Sequence, residues 1–496
     1  MSLAHLSPRP LWQHFQRLCE IPRPSGHEQA LRAQLVGWAS DRGFTSEQDE
    51  AGNLLIRKPA TPGYEDRCPV ILQGHLDMVS QKRKHSPHCF ETDPIQVREV
   101  EGWVMATDTT LGADNGMGVA AALAVLECDD LPHGPLEALF TIEEESSMRG
   151  ALELRPHWLR GNVLLNLDSE DRGDVYVGCA GGVDVNVSAE WSVQTLNPNE
   201  WAIHRLDLGG LRGGHSGLDI DKGRGNAIRL TARLVEAVCR LTDCRVIQFD
   251  GGSLRNALPR ESSVIFSVAS AFVPKLAQEV DLLAGLIQEE MASVEPGLTI
   301  QLSPLNLASE GGELHLQALS RDDTRRFIHL LLAAPHGVER MSPEFHQVVA
   351  TSNNLGVIKL SGGRLQGCLL ARALRESELR ALAARIRAVF ELAGCQVSLD
   401  NGYPGWTPDP ESPALRLFQT VHEQTFGEPA QVKVIHAGLE CGIIGANYPL
   451  LDMVSFGPII RGAHSPDERV EIASVEAFWR LLRNMIAALA EWPATS

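Results

Sequence analysis

Short apolar runs punctuate the first stretch of the chain, each closed by Gly, Pro or a charged residue: "PVILQGH" (69–75), "PLEALFTI" (135–142) and "NVLLNLD" (162–168). Runs of this length, rich in Val, Ile and Leu, predict buried strands. Between the first two lies "GMGVAAALAVLE" (116–127), small and apolar throughout. It predicts a buried helix with Asp114 just before its start. Strands alternating with helices predict an α/β fold, a mostly parallel sheet with helices on both faces.

From about Val183 the pattern changes to amphipathic alternation, in "AIHRLDL" (202–208), "CRVIQFDGG" (244–252) and "SSVIFSVAS" (262–270). A period of two predicts strands with one face in a core and the other wet. Helical stretches follow at 273–294 and 376–394, and "LGVIKLSGGRLQGCLLARAL" (355–374) predicts a hairpin around Gly362-Gly363. The C-terminal stretch returns to the first pattern: a helix near 412–426, strands in "QVKVIHAG" (431–438) and "DMVSFGP" (452–458), and a helix near 472–491. The expected organisation is a first domain in two segments, 1–183 and 399–496, interrupted by an inserted α+β domain, 184–398. The insert is large enough for two related halves, although no sequence repeat is visible.

At 496 residues the chain exceeds what one hydrophobic core usually supports, which agrees with two domains. The net charge of −19 disfavours nucleic acid and anionic membranes as partners, and fits a site that gathers carboxylates around cations. No apolar stretch approaches the roughly 20 residues of a membrane span. The N-terminus, "MSLAHLSPRPLWQHF", lacks a basic region followed by an apolar core, so no secretory signal is expected. Ten cysteines include no C-x-x-C pair, which argues against a zinc ribbon or a disulfide framework. Free thiols in a reducing, cytoplasmic setting are expected.

Two groups of donors compete for a metal within residues 70–90: the crowded "HSPHC" (His85, His88, Cys89) and the pair His75 and Asp77 at the end of an apolar run. Further acidic clusters follow predicted strands or precede the helix: Asp114 in "LGADNG", Glu143, Glu144 and Glu145 in "TIEEESSM", and Asp168 and Glu170 in "LNLDSE". His464 in "GAHSPDE" follows the last strand. Singly, each has an ordinary reading: a hydrogen-bonded histidine, a helix N-cap, a solvated acidic face. Together they fall at the carboxyl edge of one sheet, where open α/β folds form ligand sites. Two histidines and three or more carboxylates suit a pair of Zn²⁺-like ions.

The motifs "GHLDMV", "TTLGADNG", "LFTIEEESSMRGA", "LNLDSE", "GGHSG", "DGGSLRNALPRES", "HAGLECG" and "GAHSPDE" occur in one order along nearly the whole chain. In this the chain resembles the di-zinc metallopeptidases that include aminoacylases, carboxypeptidase G and several bacterial dipeptidases, and most closely their aminoacyl-histidine (Xaa-His) dipeptidase branch. The resemblance implies two zinc ions per chain, or other divalent ions such as cobalt or manganese. One would take His75 and Asp168, the other Glu145 and His464, with Asp114 bridging. Asp77 would orient His75, and Glu144 would be the general base for attack by a zinc-bridged hydroxide. A cis peptide after Asp114 is implied as well. On this assignment "HSPHC" is a surface loop; following "QKRK", it departs from the stretch usual after "GHLDMV" and could reshape the rim of the substrate pocket.

The resemblance also makes 184–398 a lid. His215 in "GGHSG", otherwise readable as a turn histidine, would stabilise the oxyanion, from its own chain or across a homodimer. Asn256 in "RNALPR" would help hold substrate, and Arg372 in "LLARAL" would bind its C-terminal carboxylate. His436 and Glu440 in "HAGLECG" would line the pocket, Glu440 facing the substrate amine. The implied activity is hydrolysis of unblocked dipeptides, of Xaa-His type and more broadly. The competing reading is an N-acyl-amino-acid hydrolase on the same metals. The partners implied are small peptides, with neither nucleic acid nor membrane; a homodimer is compatible but not required.

Overall fold

The apolar runs become strands whose inner faces are dry. In the computed structural model, which describes residues 3–197, 199–305 and 317–494, they form β1 (Val70–His75), β2 (Leu136–Thr141) and β3 (Val163–Asn166), every residue of which is buried. The C-terminal run supplies β4 (Asp452–Ser455). These four lie parallel in the order β2-β1-β3-β4 at the heart of an eight-stranded sheet. Towards one edge the pairing turns antiparallel, through strands Leu54–Lys58 and Thr45–Gln48. Beyond β4, Asp174–Cys179 also pairs antiparallel. The sheet is parallel where the site residues leave it and mixed at its margins.

Helix α1 (Ala113–Glu127) packs against β1 and is apolar on every side, as a helix inside a core must be. Asp114 and Asn115 depart from helical dihedrals, so the regular turns of α1 begin at Gly116 with Asp114 just ahead of them. The Asp114–Asn115 peptide is cis. Helix α2 (Glu440–Asn447) is the other short element that carries a site residue.

The chain divides into two compact units: Met1–Cys179 with Trp406–Val434 and Leu439–Ser496, and Ala180–Gly405 with Ile435–Gly438. The second unit is built on a nine-stranded sheet. One succession of helix, strand pair, helix and strand runs Ala227–Leu241, Cys244–Gly251 with Ser262–Ala269, Val273–Met291 and Thr299–Pro304. The succession recurs as Arg321–Ala333, Val349–Ser361 with Arg364–Ala373, Glu376–Leu392 and Gln396–Tyr403. The second pair turns at Gly362 and Gly363, both at positive φ (56° and 79°), as a two-residue hairpin turn matched to strand twist requires. Apolar residues from both successions share one core, including Phe249, Phe266, Phe327 and Phe390. Among the described residues no helix is long and apolar enough to cross a membrane.

Candidate metal centre

The carboxyl ends of three neighbouring parallel strands deliver the first donors. His75 ends β1, Glu144 and Glu145 follow β2, and Asp168 follows β3. His75 Nε2 lies 3.2 Å from Asp114 Oδ1 and 3.4 Å from Asp168 Oδ1. The other Asp114 oxygen, Oδ2, lies 3.3 Å from His464 Nε2, which is 3.0 Å from Glu145 Oε2. Asp114 therefore presents one oxygen to each histidine. Donor atoms of His75, Asp114 and Asp168 lie within 4.8 Å of one another, as do those of Asp114, Glu145 and His464, and those of His75, Glu144 and Glu145. The His75 side chain is 1% exposed and that of His464 56%, so one side of the centre is sealed and the other open.

Asp77 holds the group in two ways. The His75 Nδ1 lies 3.1 Å from the Asp77 carbonyl and 3.4 Å from its carboxylate, which directs Nε2 towards Asp114 and Asp168. The carboxylate also accepts the Glu144 and Glu145 N–H groups at 3.0 and 3.1 Å and the Ser25 hydroxyl at 2.7 Å. One buried residue thus orients the histidine and fixes the turn that carries Glu144 and Glu145.

So many acids in so little solvent are electrostatically unsatisfied. Burial pushes Asp168 up to about 7 and Glu170 up to about 8, and lifts Glu144 well above the usual carboxylate range. Burial opposes charge on His75, yet Asp168, Asp114 and Asp77 hold its pKa well above that of a free imidazole. Hydrogen bonds to Asp114 and Glu145 raise His464 to about 11. Burial works against an ionised Asp114, but hydrogen bonds from His464 and His75 keep its pKa low. Glu145 Oε1 is buried without a hydrogen-bond partner, and Asp168 Oδ1 is buried with His75 Nε2 at 3.4 Å beside it. Crowded, poorly satisfied carboxylate oxygens beside imidazoles are what divalent ions would relieve, and mixed N/O donors suit Zn²⁺, Co²⁺ or Mn²⁺.

The sign of the pH dependence follows. Asp168, Glu170 and Glu440, the last raised to about 7 by burial, keep protons in the folded chain that the unfolded chain releases near pH 4. Their stabilising contribution is complete below the unfolded pKa and lost as pH rises through about 7–8. His464, raised to about 11, acts in the same direction above its ordinary range. A metal held by Asp168 and His464 would displace the protons of those two groups, so affinity would rise over this window. Below about pH 6.5 the lowered pKa values of His215 and His436 work in the opposite sense, so metal-stripped protein should lose Tm between about pH 6.5 and about pH 8, and Zn²⁺ should raise Tm more at the alkaline end. A metal-stripped Tm that climbs with pH there would contradict this balance.

Beneath the centre runs a buried polar chain. Glu440 Oε2, on α2, accepts from Gln73 Nε2 and from the Thr141 hydroxyl, both at 2.7 Å. Gln73 Oε1 accepts from Asn166, whose own oxygen accepts from the Ser455 hydroxyl, and Ser455 lies 2.7 Å from Ser169. Since Ser455 donates to Asn166, Ser169 donates to Ser455, and every donor points towards Glu440. Glu440 is 1% exposed and its second oxygen, Oε1, is buried without a partner.

The "HSPHC" residues lie apart from the donor groups. His85 is exposed and lies 3.2 Å from Asp108, while the His88 ring packs edge-on against Phe90. The loop is nonetheless tethered near the centre: Arg83 pairs with Asp467, three residues after His464, at 2.6 Å.

In the second unit, His215, Arg372 and His436 gather with residues that carry no sequence signal. His215 Nδ1 accepts the Gly217 and Leu218 N–H groups at 3.2 and 3.1 Å, leaving the ring proton on Nε2. Burial and then the Arg372 charge lower its pKa to about 4. Arg372 is buried and donates to the Tyr403 hydroxyl at 2.5 Å and the Ser216 hydroxyl at 3.4 Å, with Nε lacking a partner. That differs from an ordinary strand arginine, which would reach solvent. His436 is buried 2.7 Å from the Ser352 hydroxyl, its pKa lowered to about 3 by burial and then Arg372. Asn256 is exposed, and its carbonyl accepts the Ser216 N–H at 2.8 Å.

Comparison with known proteins gives the family. Residues 71–488 match peptidase family M20/M25/M40. The cytosol non-specific dipeptidase of Escherichia coli (strain K12) is 43% identical over 484 residues, 98% of each chain. Among solved structures, the aminoacylhistidine dipeptidase from Vibrio alginolyticus matches with a TM-score of 0.90 at 42% identity, over 100% of this chain and 99% of that one. Aminopeptidase PepT from Bacillus cereus shares the fold, with a TM-score of 0.56 at 16% identity over 98% of this chain and 100% of that one. With the family match running from β1 into the last helix, and a relative of such identity aligned almost end to end, the chain belongs to peptidase family M20/M25/M40.

Proposed function

We propose that this chain is a metal-dependent dipeptidase that hydrolyses unblocked dipeptides, including those with C-terminal histidine. The observation that carries the reading is the pair of donor triads sharing Asp114, with Glu144 beside them. The names of the Escherichia coli and Vibrio alginolyticus relatives support the substrate class. His75 and Asp168 would hold one ion and Glu145 and His464 the other, with Asp114 between. Two divalent ions, zinc in this reading, would supply Lewis-acid activation of a water and of the scissile carbonyl.

The remaining work falls to the chain's own side chains. Glu144, its pKa raised by burial, takes the proton of the attacking water as the new C–O bond forms. It returns that proton to the departing nitrogen as the C–N bond breaks. His215, neutral and with its proton on Nε2, donates to the carbonyl oxygen as it gains negative charge. Arg372 binds the C-terminal carboxylate, and Asn256 and His436 line the substrate pocket. Glu440 accepts the substrate ammonium on Oε1, since the polar chain commits its other oxygen to Gln73 and Thr141. In this reading the inserted segment 184–398 carries His215, Asn256 and Arg372 in a two-domain cytoplasmic enzyme, with a homodimer compatible.

The test pairs metal analysis with substrates that differ at the amine. Purified protein should hold about two divalent ions per chain and cleave Gly-His much faster than N-acetyl-Gly-His. Faster cleavage of the acetylated compound would make the chain an N-acyl-amino-acid hydrolase instead.

A further inference from the structure

The sharpest unexplained feature is a carboxylate that touches no donor of the metal triads. Glu468 is 2% exposed and lies four residues beyond His464. One of its oxygens accepts the N–H groups of Leu111 and Gly112 at 2.7 and 3.0 Å. The other accepts those of Ala113 and Asp114 at 2.7 and 3.3 Å. Those of Gly112, Ala113 and Asp114 are N–H groups that the start of α1 leaves without helical partners, and that of Leu111 immediately precedes them. A nearby serine, threonine or aspartate normally caps such a turn with one or two bonds. Here four are taken by a residue from the far end of the sequence.

The surrounding backbone is held as tightly. The Arg23 guanidinium, also 2% exposed, donates to the carbonyls of Leu76, Asp77 and Gly112 at 2.9, 3.1 and 2.6 Å. Gly112 sits at φ +72°, and a Cβ there would meet Arg23 Nη2 at 2.6 Å and Met78 Sδ at 2.9 Å. At the other end, the Glu468 N–H donates to Ser465 at 3.0 Å and the Ser465 hydroxyl to Gly462 at 2.7 Å, closing the turn that carries His464. Arg23 thus ties the exit of β1 to the Asp114 turn, and Glu468 ties the Asp114 turn to the His464 turn.

We propose that Glu468 is a positioning residue that holds the Asp114 carboxylate where one oxygen can serve each of the two metal positions. The proposal rests on the two-ion reading above. Asp114 lies within about 3.3 Å of a histidine on either side, so a small displacement of its backbone improves one contact only by spoiling the other. Glu468 and His464 share one turn, which keeps the Asp114–Glu145–His464 triad in register despite its exposure. An ordinary cap would stabilise α1 and no more. A clamp between two ligand-bearing turns also sets the affinity for the second ion.

Glu468→Gln separates the two roles. The amide keeps one acceptor oxygen and turns its NH₂ towards two N–H donors, so half of the grip is lost without a change in size. Metal-stripped wild type and variant would be titrated with Co²⁺, following heat and the visible Co²⁺ spectrum, with circular dichroism confirming the fold. Wild type should take two ions. Glu468→Gln should bind the first nearly as well and the second about 10–100-fold more weakly, with an altered spectrum at full loading. Glu468→Asp, which keeps both oxygens but is shorter, should fall between them, and it carries the comparison should the glutamine variant not fold. Wild-type affinity for both ions and an unchanged spectrum, with only a lower Tm, would reduce Glu468 to a helix cap and overturn the proposal. Uptake of a single ion by wild type would refute the two-ion reading instead, and the proposal with it.

Discussion

Glu144→Gln should retain its full complement of metal and lose roughly 10²–10⁴-fold or more in kcat. The substitution preserves shape and hydrogen-bonding reach but removes the carboxylate that the proposed mechanism uses to take a proton from water and give it back. Glu145→Gln should do the reverse, lowering metal affinity first and activity as a consequence. The two neighbours are distinguished by contact. Glu145 Oε2 is 3.0 Å from His464 and shares a triad with Asp114, whereas Glu144 joins a donor group that lacks Asp114. Asp77 accepts both of their N–H groups, so neither substitution should disturb the turn itself. Metal content measured beside steady-state rates decides the matter. Metal loss in Glu144→Gln with retained metal in Glu145→Gln would exchange their roles.

Arg372→Ala should abolish the preference for a free C-terminal carboxylate over its amide. The guanidinium is buried, its two partners are neutral hydroxyls, and its Nε has no partner at all. A buried cation so placed is poorly compensated until an anion arrives. Truncating one partner of a buried charge pair costs about 2–5 kcal/mol. The wild-type enzyme should therefore favour Gly-His over Gly-His-amide by roughly thirtyfold or more in kcat/KM. The variant should treat the two alike, through loss of activity on the acid and not through gain on the amide. Equal kcat/KM for acid and amide in wild type would remove the carboxylate clamp.

The strands and the buried helix were legible because their apolar runs exceed what a loop would carry, and the Gly362-Gly363 turn because its residues accept positive φ. The candidate donors were legible as motifs at strand ends. Less visible were relations between distant segments. Nothing about Tyr403, Ser216 or Ser352 in the sequence marks them as neighbours of Arg372 or His436, since the nine-stranded sheet brings them together. Glu468 stood inside "GAHSPDE" in plain view, but its partners are backbone N–H groups, which every sequence contains. Helix α1 takes regular dihedrals only from Gly116, where its apolar run begins.

The discontinuity of the first unit bears on the order in which the molecule is made. A ribosome releases His75 early and His464 late, and β4 must enter the sheet beside β3 after the whole of Ala180–Gly405 has been synthesised. Compact segments fold as units as they emerge, so the inserted unit can be complete while the first still lacks its fourth parallel strand. Throughout that interval neither Glu145 nor Asp114 has its histidine from the C-terminal turn. The nascent protein therefore passes through most of its synthesis without an assembled hydrolytic centre, and catalytic competence arrives in one late step.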